Sequence, residues 1–204
     1  MQNELDPTDW ENCYREGTTP WEKGEAAPPL LEFLARDGLE LHGRIFVPGC
    51  GFGHDVRALA SASPAAEVIG LDISSSAISG AENYGKLGNE RYLLGDLFRL
   101  PPELTGTCDY VFEHTCLSAL PPALRPDYVD AFHRALKPAG QVLAIFFLTP
   151  WDDGETPEPP PYGVSREELD TMFAGKFALI EEWEPARQYP GREGRELMRL
   201  LRRL

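Results

Sequence analysis

Basic residues are scarce in this sequence: 19 Lys and Arg stand against 33 Asp and Glu, a formal charge of -14 over 204 residues. A field of that sign repels phosphate backbones and acidic membrane surfaces, so nucleic acid and membrane are excluded as partners. Long apolar runs are missing as well, none approaching the ~20 residues needed to cross a bilayer. The polar, acidic opening MQNELDPTDWENCYREG has none of the basic-then-apolar order of a secretory signal. The four cysteines, at 13, 50, 108 and 116, contain no CxxC pair, and the four histidines, at 42, 54, 114 and 133, form no HxxxH or His/Cys cluster. A disulfide framework and a metal site are therefore not expected. These absences together predict a cytoplasmic, monomeric protein of one domain, 1–204, long enough to bury a core without a covalent staple.

What is present is alternation. RIFVPG (44–49) reads as a buried strand, HDVRALASA (54–62) as a helix, AEVIGLDIS (66–74) as a second strand, and SSAISGAENYGKLG (75–88) as a helix starting at a serine cap. RYLLGDLF is strand-like, TCDYVFEHTCL contains a strand, ALRPDYVDAFHRALKPAG is an amphipathic helix stopped by Pro138 and Gly140, and QVLAIFFL is a strongly apolar strand. A helix over LLEFLARDGLEL, behind Pro28-Pro29, precedes the first strand. Near the end SREELDTMFAG reads as a capped helix, FALIEEWEPA as a strand, and RELMRLLRRL as either a strand or a short helix. The strand is preferred, because the last two segments then form an antiparallel hairpin at one sheet edge. The expected fold is α/β and doubly wound: a mostly parallel seven-stranded sheet with an antiparallel edge hairpin and helices on both faces. TPWDDGETPEPPPYGVS (149–165), dense in Pro, Gly and acid, must be a surface loop. The arginine-rich run from Arg187 to Leu204 is expected to be a solvated edge partly neutralised by Glu193 and Glu196, with an anion site as the alternative.

The first strand runs straight into VPGCGFGHD, with glycine at 49, 51 and 53. Glycine permits positive φ and lets a ligand approach the backbone, and the following helix offers free N–H groups. The spacing is nevertheless wrong for a dinucleotide, whose fingerprint G-x-G-x-x-G needs glycine where His54 stands, and no G-x-x-x-x-G-K-[ST] or nearby lysine points to phosphate. A loop ending in Asp55 suits a ligand with an amino-acid end and a positive sulfonium, which is S-adenosylmethionine. The second strand ends Gly70-Leu71-Asp72, so Asp72 is positioned to accept from a ribose diol. The third ends Gly95-Asp96-Leu97-Phe98, where Asp96 can accept from the adenine amino group while Leu97 and Phe98 wall the ring.

With these motifs in view the sequence resembles the class I methyltransferases of the thiopurine and thiol/halide methyltransferase family, from Trp10 to FALIEEWE. The distinctive parts are the leader W10-x-x-x-Y14-x-x-x-x-T19-P20-W21-x-x-G24, VPGCGFGHD, the pair GLDIS and GDLF, YVFEHTCLSALPP, and PPY at 160–162. The resemblance implies a Rossmann-like methyltransferase sheet, an N-terminal lid over residues 1–25 with Trp10, Tyr14 and Trp21 around the cofactor, and an active-site loop over 150–164. It also implies cofactor contacts from Gly49, Gly51, Asp72, Asp96, Leu97, Glu113 and His114. His114 departs from the family, which carries tyrosine or arginine beside the methyl. From the residues alone, Trp10 and Trp21 either form that lid or pin a floppy N-terminus. His114 either accepts a thiol proton or is satisfied by a backbone hydrogen bond, and Tyr162 either orients the acceptor or packs its loop. Cys116 is read as a small apolar residue rather than a nucleophile.

The expected reaction is methyl transfer to a small acceptor, most simply a thiol, thiopurine or halide. The alternatives are O- or N-methylation of another metabolite, or cofactor binding without turnover. A nicotinamide oxidoreductase is disfavoured by His54 and by the missing Tyr-x-x-x-Lys pair.

Overall fold

The structure is a computed structural model describing residues 7–152 and 159–204. Seven strands form one sheet: β1 (Gly43–Pro48), β2 (Ala66–Asp72), β3 (Glu90–Leu94), β4 (Cys108–His114), β5 (Leu136–Phe147), β6 (Phe177–Trp183) and β7 (Glu196–Arg203). Their order is β3-β2-β1-β4-β5-β7-β6, with β7 antiparallel to both β5 and β6 and the remaining pairs parallel. Successive strands are added first on one side of β1 and then on the other, so β1 and β4 flank a switch point where open α/β sheets bind ligands at their carboxyl ends. RELMRLLRRL is thus a strand, and the hairpin expected of it is present.

Period-two alternation explains how the sheet is covered on both faces. Ile45 and Val47 of β1, Phe112 of β4 and Leu143 and Ile145 of β5 pack with α2 (Pro28–Leu34) and α3 (His54–Ala62). Phe46, Val111, Val142, Ala144 and Phe146 point the other way, towards α6 (Arg125–Ala135) and α7 (Arg166–Phe173). Phe46 and Phe146 are at most 1% exposed, and burying such a ring contributes ~2–3 kcal/mol. α4 (Ser75–Asn83) packs beside β2 and β3, and the four-residue α5 (Cys116–Ala119) follows the end of β4.

Several boundaries differ from the sequence reading. The leader contains a helix, α1 (Pro7–Glu16), that its polar composition concealed. The helix expected to run to Leu41 ends at Leu34, before the Asp37-Gly38 turn, and α4 stops at Asn83 rather than Gly88. The helix expected to end at Pro138 and Gly140 ends at Ala135. A proline at 138 cannot donate to the carbonyl of Arg134, and Gly106 N takes that acceptor at 2.7 Å. Lys137 to Gly140 instead enter β5 as an irregular stretch where the β4 register shifts.

The arginine run is only partly a solvated edge: Arg187 and Arg202 are exposed as expected, but others turn inward. Arg199 is 2% exposed on the α7 face, where it pairs with Glu182 at 2.7 Å and Asp170 at 2.8 Å. Arg192 is largely enclosed and pairs with the buried Glu196 at 2.9 Å. Glu196 does neutralise part of the run as expected, but from a buried position against Arg192, while strand alternation turns Arg199 into the opposite face of the sheet.

Candidate active site

The turn after β1 is sewn to the end of β2. Cys50 N donates to Leu71 O at 3.0 Å, Gly51 N to Asp72 Oδ2 at 2.8 Å, and Ser74 N to Asp72 Oδ1 at 2.9 Å. Burial raises the Asp72 carboxyl above its usual range, opposed by these backbone donors. The third glycine, one place early for a dinucleotide, also has a local cause. Gly53 caps α3 at φ +72°, and a Cβ there would lie 2.5 Å from the Tyr92 ring. Only glycine admits both the left-handed backbone and that ring. Asp96 caps the 3-10 turn after β3, accepting from Phe98 N at 2.8 Å, and Leu97 is buried beside it.

The leader folds over this turn. Trp10 meets Trp21 edge-on at 5.3 Å, Tyr14 meets Trp21 at 5.9 Å and Phe52 at 5.2 Å, and Trp21 Nε1 donates to the Tyr14 hydroxyl at 3.1 Å. That hydroxyl hangs above Gly51, 2.9 Å from where a Cβ would be. Burial pushes the Tyr14 phenol up, so it stays protonated. Two carboxylates fix the leader in place, and sequence reasoning anticipated neither. Glu11 of α1 accepts from Ser74 Oγ at 2.8 Å, Ser75 Oγ at 3.2 Å, Ser76 Oγ at 2.6 Å and Ser76 N at 3.1 Å. The Ser76 donors lead in lowering its carboxyl to about 2. Glu22 pairs with His54 Nε2 at 2.9 Å, while Arg57 donates to His54 Nδ1 at 2.8 Å. His54, where a dinucleotide site has glycine, therefore ties the leader to α3.

At the end of β4, His114 Nδ1 lies 2.8 Å from Asp55 Oδ2 in the first turn of α3, and Asp55 Oδ1 accepts from Ala27 N at 2.8 Å. Tyr189 stacks on the imidazole at 6.2 Å and 21°. Arg192 approaches His114 Nε2 at 3.5 Å, its guanidinium 4.6 Å over the Phe147 ring. Thr115 follows in the left-handed region at φ +62°, an uncommon conformation for a β-branched residue and one that concentrates at functional sites. Glu113 is fully buried; its Oε1 accepts from Leu117 N at 3.0 Å, and burial pushes its carboxyl up to about 7. Burial also raises the Cys116 thiol, the opposite of what a nucleophilic thiolate needs.

The loop after β5 returns beside α5. Tyr162 N donates to Ser118 O at 2.6 Å, Val164 N to Leu148 O at 3.1 Å, and the buried Arg125 donates to Gly163 O at 2.8 Å while pairing with Glu168. The expected loop over 150–164 includes 153–158, and the expected lid includes 1–6; both stretches lie outside the described residues. Among the described residues the Tyr162 hydroxyl is joined to no other site side chain by a hydrogen bond. An apolar hollow of about 100 Å³, lined by Phe33, Leu41, Ile45, Leu59 and Phe112, belongs to the core under α2 and gathers none of these polar groups.

A glycine turn under an aromatic cover, a buried carboxylate at the β2 edge and an imidazole at the switch point form one constellation, and the sequence profile of the thiopurine S-methyltransferase family matches residues 5–193. The chain belongs to that family. Its cofactor is S-adenosylmethionine, and it is an S-methyltransferase acting on a small acceptor. Thiocyanate methyltransferase 1 of Brassica oleracea is 37% identical over 181 residues, covering 85% of this chain and 76% of the relative. Its Arabidopsis thaliana counterpart is 36% identical over 195 residues, covering 92% and 81%. Among solved structures, the 1,6-didemethyltoxoflavin-N1-methyltransferase of Burkholderia thailandensis, which holds S-adenosylhomocysteine, superposes with a TM-score of 0.72 at 19% identity, covering 97% of this chain and 86% of that one. The observed site fits that cofactor: Asp72 is buried at the β2 edge beside the glycine turn, and of its carboxylate's roughly four acceptor directions the backbone donors of Gly51, Ile73 and Ser74 leave at least one for a ribose hydroxyl.

Sequence reasoning missed Tyr189, Arg192 and the link from Asp55 to His114. A signal for the first two existed. Once the edge hairpin is assigned, antiparallel pairing of Phe147 with Glu196 brings the β6–β7 connection to the carboxyl edge of the parallel strands.

Proposed function

We propose that the chain methylates a small soft nucleophile, a thiol or a compact anion such as thiocyanate or iodide, in a chamber bounded by His114, Tyr162 and the β6–β7 connection. In this reading Asp72 holds the ribose, Asp96 and Leu97 the adenine, Gly49 and Gly51 the amino-acid end, and Trp10, Tyr14 and Trp21 screen the sulfonium from water. Glu113 and His114 close the floor beside the methyl. Aromatic faces around a desolvated cation contribute ~1–2 kcal/mol each. The cofactor supplies a methyl already activated by a cationic sulfur; the chain's residues align the acceptor, exclude water and receive a proton where the acceptor carries one. Tyr162 orients the acceptor from the long loop. The four free cysteines support the expected reducing, cytoplasmic setting, and the monomeric state is part of the same proposal.

One observation carries this reading: the aromatic leader is closed on the glycine turn directly beside the buried Asp72. The test is to measure S-adenosylmethionine affinity by calorimetry and S-adenosylhomocysteine release with simple thiols, thiopurines, thiocyanate and iodide. Release with none of them, in protein that binds the cofactor, would refute the acceptor class.

A further inference from the structure

The geometry points to Asp55 as the residue that selects which nitrogen of His114 accepts a proton, making the pair a dyad that takes the S–H proton of a neutral thiol, with Arg192 beside it to receive the thiolate. This inference rests on the proposed sulfur-acceptor function. Asp55 is a positioning residue: it acts through His114.

The selection follows from hydrogen-bond direction. A carboxylate only accepts, so at 2.8 Å the shared proton sits on His114 Nδ1 and the Nε2 lone pair is left free. The sole described polar neighbour of Nε2 is Arg192 Nη1, at 3.5 Å, where a hydrogen bond is marginal. That guanidinium already donates to Glu196 at 2.9 Å and is held over Phe147. Ala27 N fixes the carboxylate from the other side, so neither Asp55 nor the imidazole it holds can turn freely. Tyr189, stacked on the ring, is itself pinned by donating to Glu25 O at 2.9 Å.

The groups around the imidazole make the proton transfer consistent. Asp55 of α3 faces Nδ1, Arg192 and Tyr189 of the β6–β7 connection face Nε2 and the ring, Glu196 of β7 lies behind Arg192, and Glu113 precedes His114 on β4. When Nε2 takes the thiol proton, the imidazolium gains a direct ion pair with Asp55, and the thiolate lies next to a guanidinium. The acceptor sulfur then forms the new S–CH3 bond as the methyl–sulfonium bond breaks, its electron pair staying on the donor sulfur. The proton afterwards leaves Nε2 for water. Thiocyanate and iodide carry no proton, so they bypass the dyad entirely.

That difference supplies an internal control. In Asp55→Asn, Ala27 N holds the amide oxygen, so the NH2 faces Nδ1 and drives the imidazole to the Nε2–H tautomer, removing the acceptor lone pair. Nitrogen-15 NMR of the cofactor-free parent is expected to show neutral His114 protonated on Nδ1, and D55N to show it protonated on Nε2. For a simple thiol, the rate in D55N should fall about 30-fold at pH 7, the reciprocal of the few-per-cent thiolate fraction of a thiol with pKa ~8.5, and the deficit should vanish above about pH 9.5. Thiocyanate and iodide should lose less rate than the thiol, since general-base help is irrelevant to them, so the thiol-to-thiocyanate rate ratio should fall. An equal loss for protic and aprotic acceptors, or a neutral parent His114 protonated on Nε2, would overturn the proposal. Should D55N fail to fold, the parent tautomer still decides it. If the parent methylates no sulfur acceptor, the proposed function fails, and the NMR result judges Asp55 separately.

Discussion

The two halves of the site are built differently. On the cofactor side, beneath the leader, the contacts join a strand end to the turn that follows or to the next strand: Gly51 to Asp72, Asp72 to Ser74, Asp96 to Phe98. On the acceptor side, the neighbours are far apart in the chain: His114 meets Asp55 59 residues away and Arg192 78 residues away. A strand-to-helix turn prescribes its own chemistry locally, so the cofactor half is portable between related folds. The acceptor half depends on what the edge hairpin and loops deliver to the switch point, which is where selectivity can vary without disturbing the donor.

The sharpest way to break that comparison is Asp72→Ala. Removing the acceptor of two backbone N–H groups unpins the glycine turn, and cofactor affinity by calorimetry should fall at least ~100-fold, as for lost hydrogen bonds to a buried charge. Survival of parent-like binding would mean that the turn is organised by something other than the β2 carboxylate. Glu113→Gln comes next and concerns the acceptor floor. Its folded-state pKa of about 7 lies above the usual value of 4.5, so between these pH values the folded chain keeps a proton that the unfolded chain has released. This contribution is complete below about 4.5 and disappears as pH rises through 7, a swing of ~3 kcal/mol by the shift of two to three units. Thermal melts should therefore show the parent losing stability over that window by more than E113Q does. A parallel pair of curves would contradict the buried-carboxyl assignment.

Arg192→Gln should separate the halves. It leaves Glu196 buried without its partner, lowering stability by ~3 kcal/mol or more, while cofactor affinity in folded protein should stay within about twofold of the parent. A large affinity loss would show that the two halves are coupled through the β6–β7 connection. Glu11→Gln is the mildest change. It keeps the side chain's shape but neutralises it and turns one oxygen, the acceptor of two of the four hydrogen bonds, into an NH2 donor at a partly exposed site, so cofactor dissociation followed by stopped flow should accelerate ~3- to 10-fold.

Local construction also explains what could be read from the sequence. The apolar runs IFV and VIGL and the caps Ser74 and Ser165 specify their elements within a few residues, so the alternation, the strand count and the Asp72–glycine-turn adjacency were legible. α1 was not, because its overall polar composition masks a short stripe of Trp10, Cys13 and Tyr14, which finds its partners only by docking against α4 and the glycine turn. Arg199 looked like a surface charge because Glu182 and Asp170 reach it only after β6, β7 and α7 have packed. The contact between Asp55 and His114 lies in the same category: nothing in either local sequence announces it, and only the parallel pairing of β1 with β4 brings α3 to His114.

The grip of Glu11 on Ser74, Ser75 and Ser76 has a dynamic corollary. All four donors come from three consecutive residues at one helix start and converge on a single carboxylate, so they engage and release as a unit. The Glu11 end of the N-terminal cover therefore works as a clasp with two positions, snapped or unsnapped, and the spent donor leaves only when this clasp and the separate Glu22–His54 tie are open together.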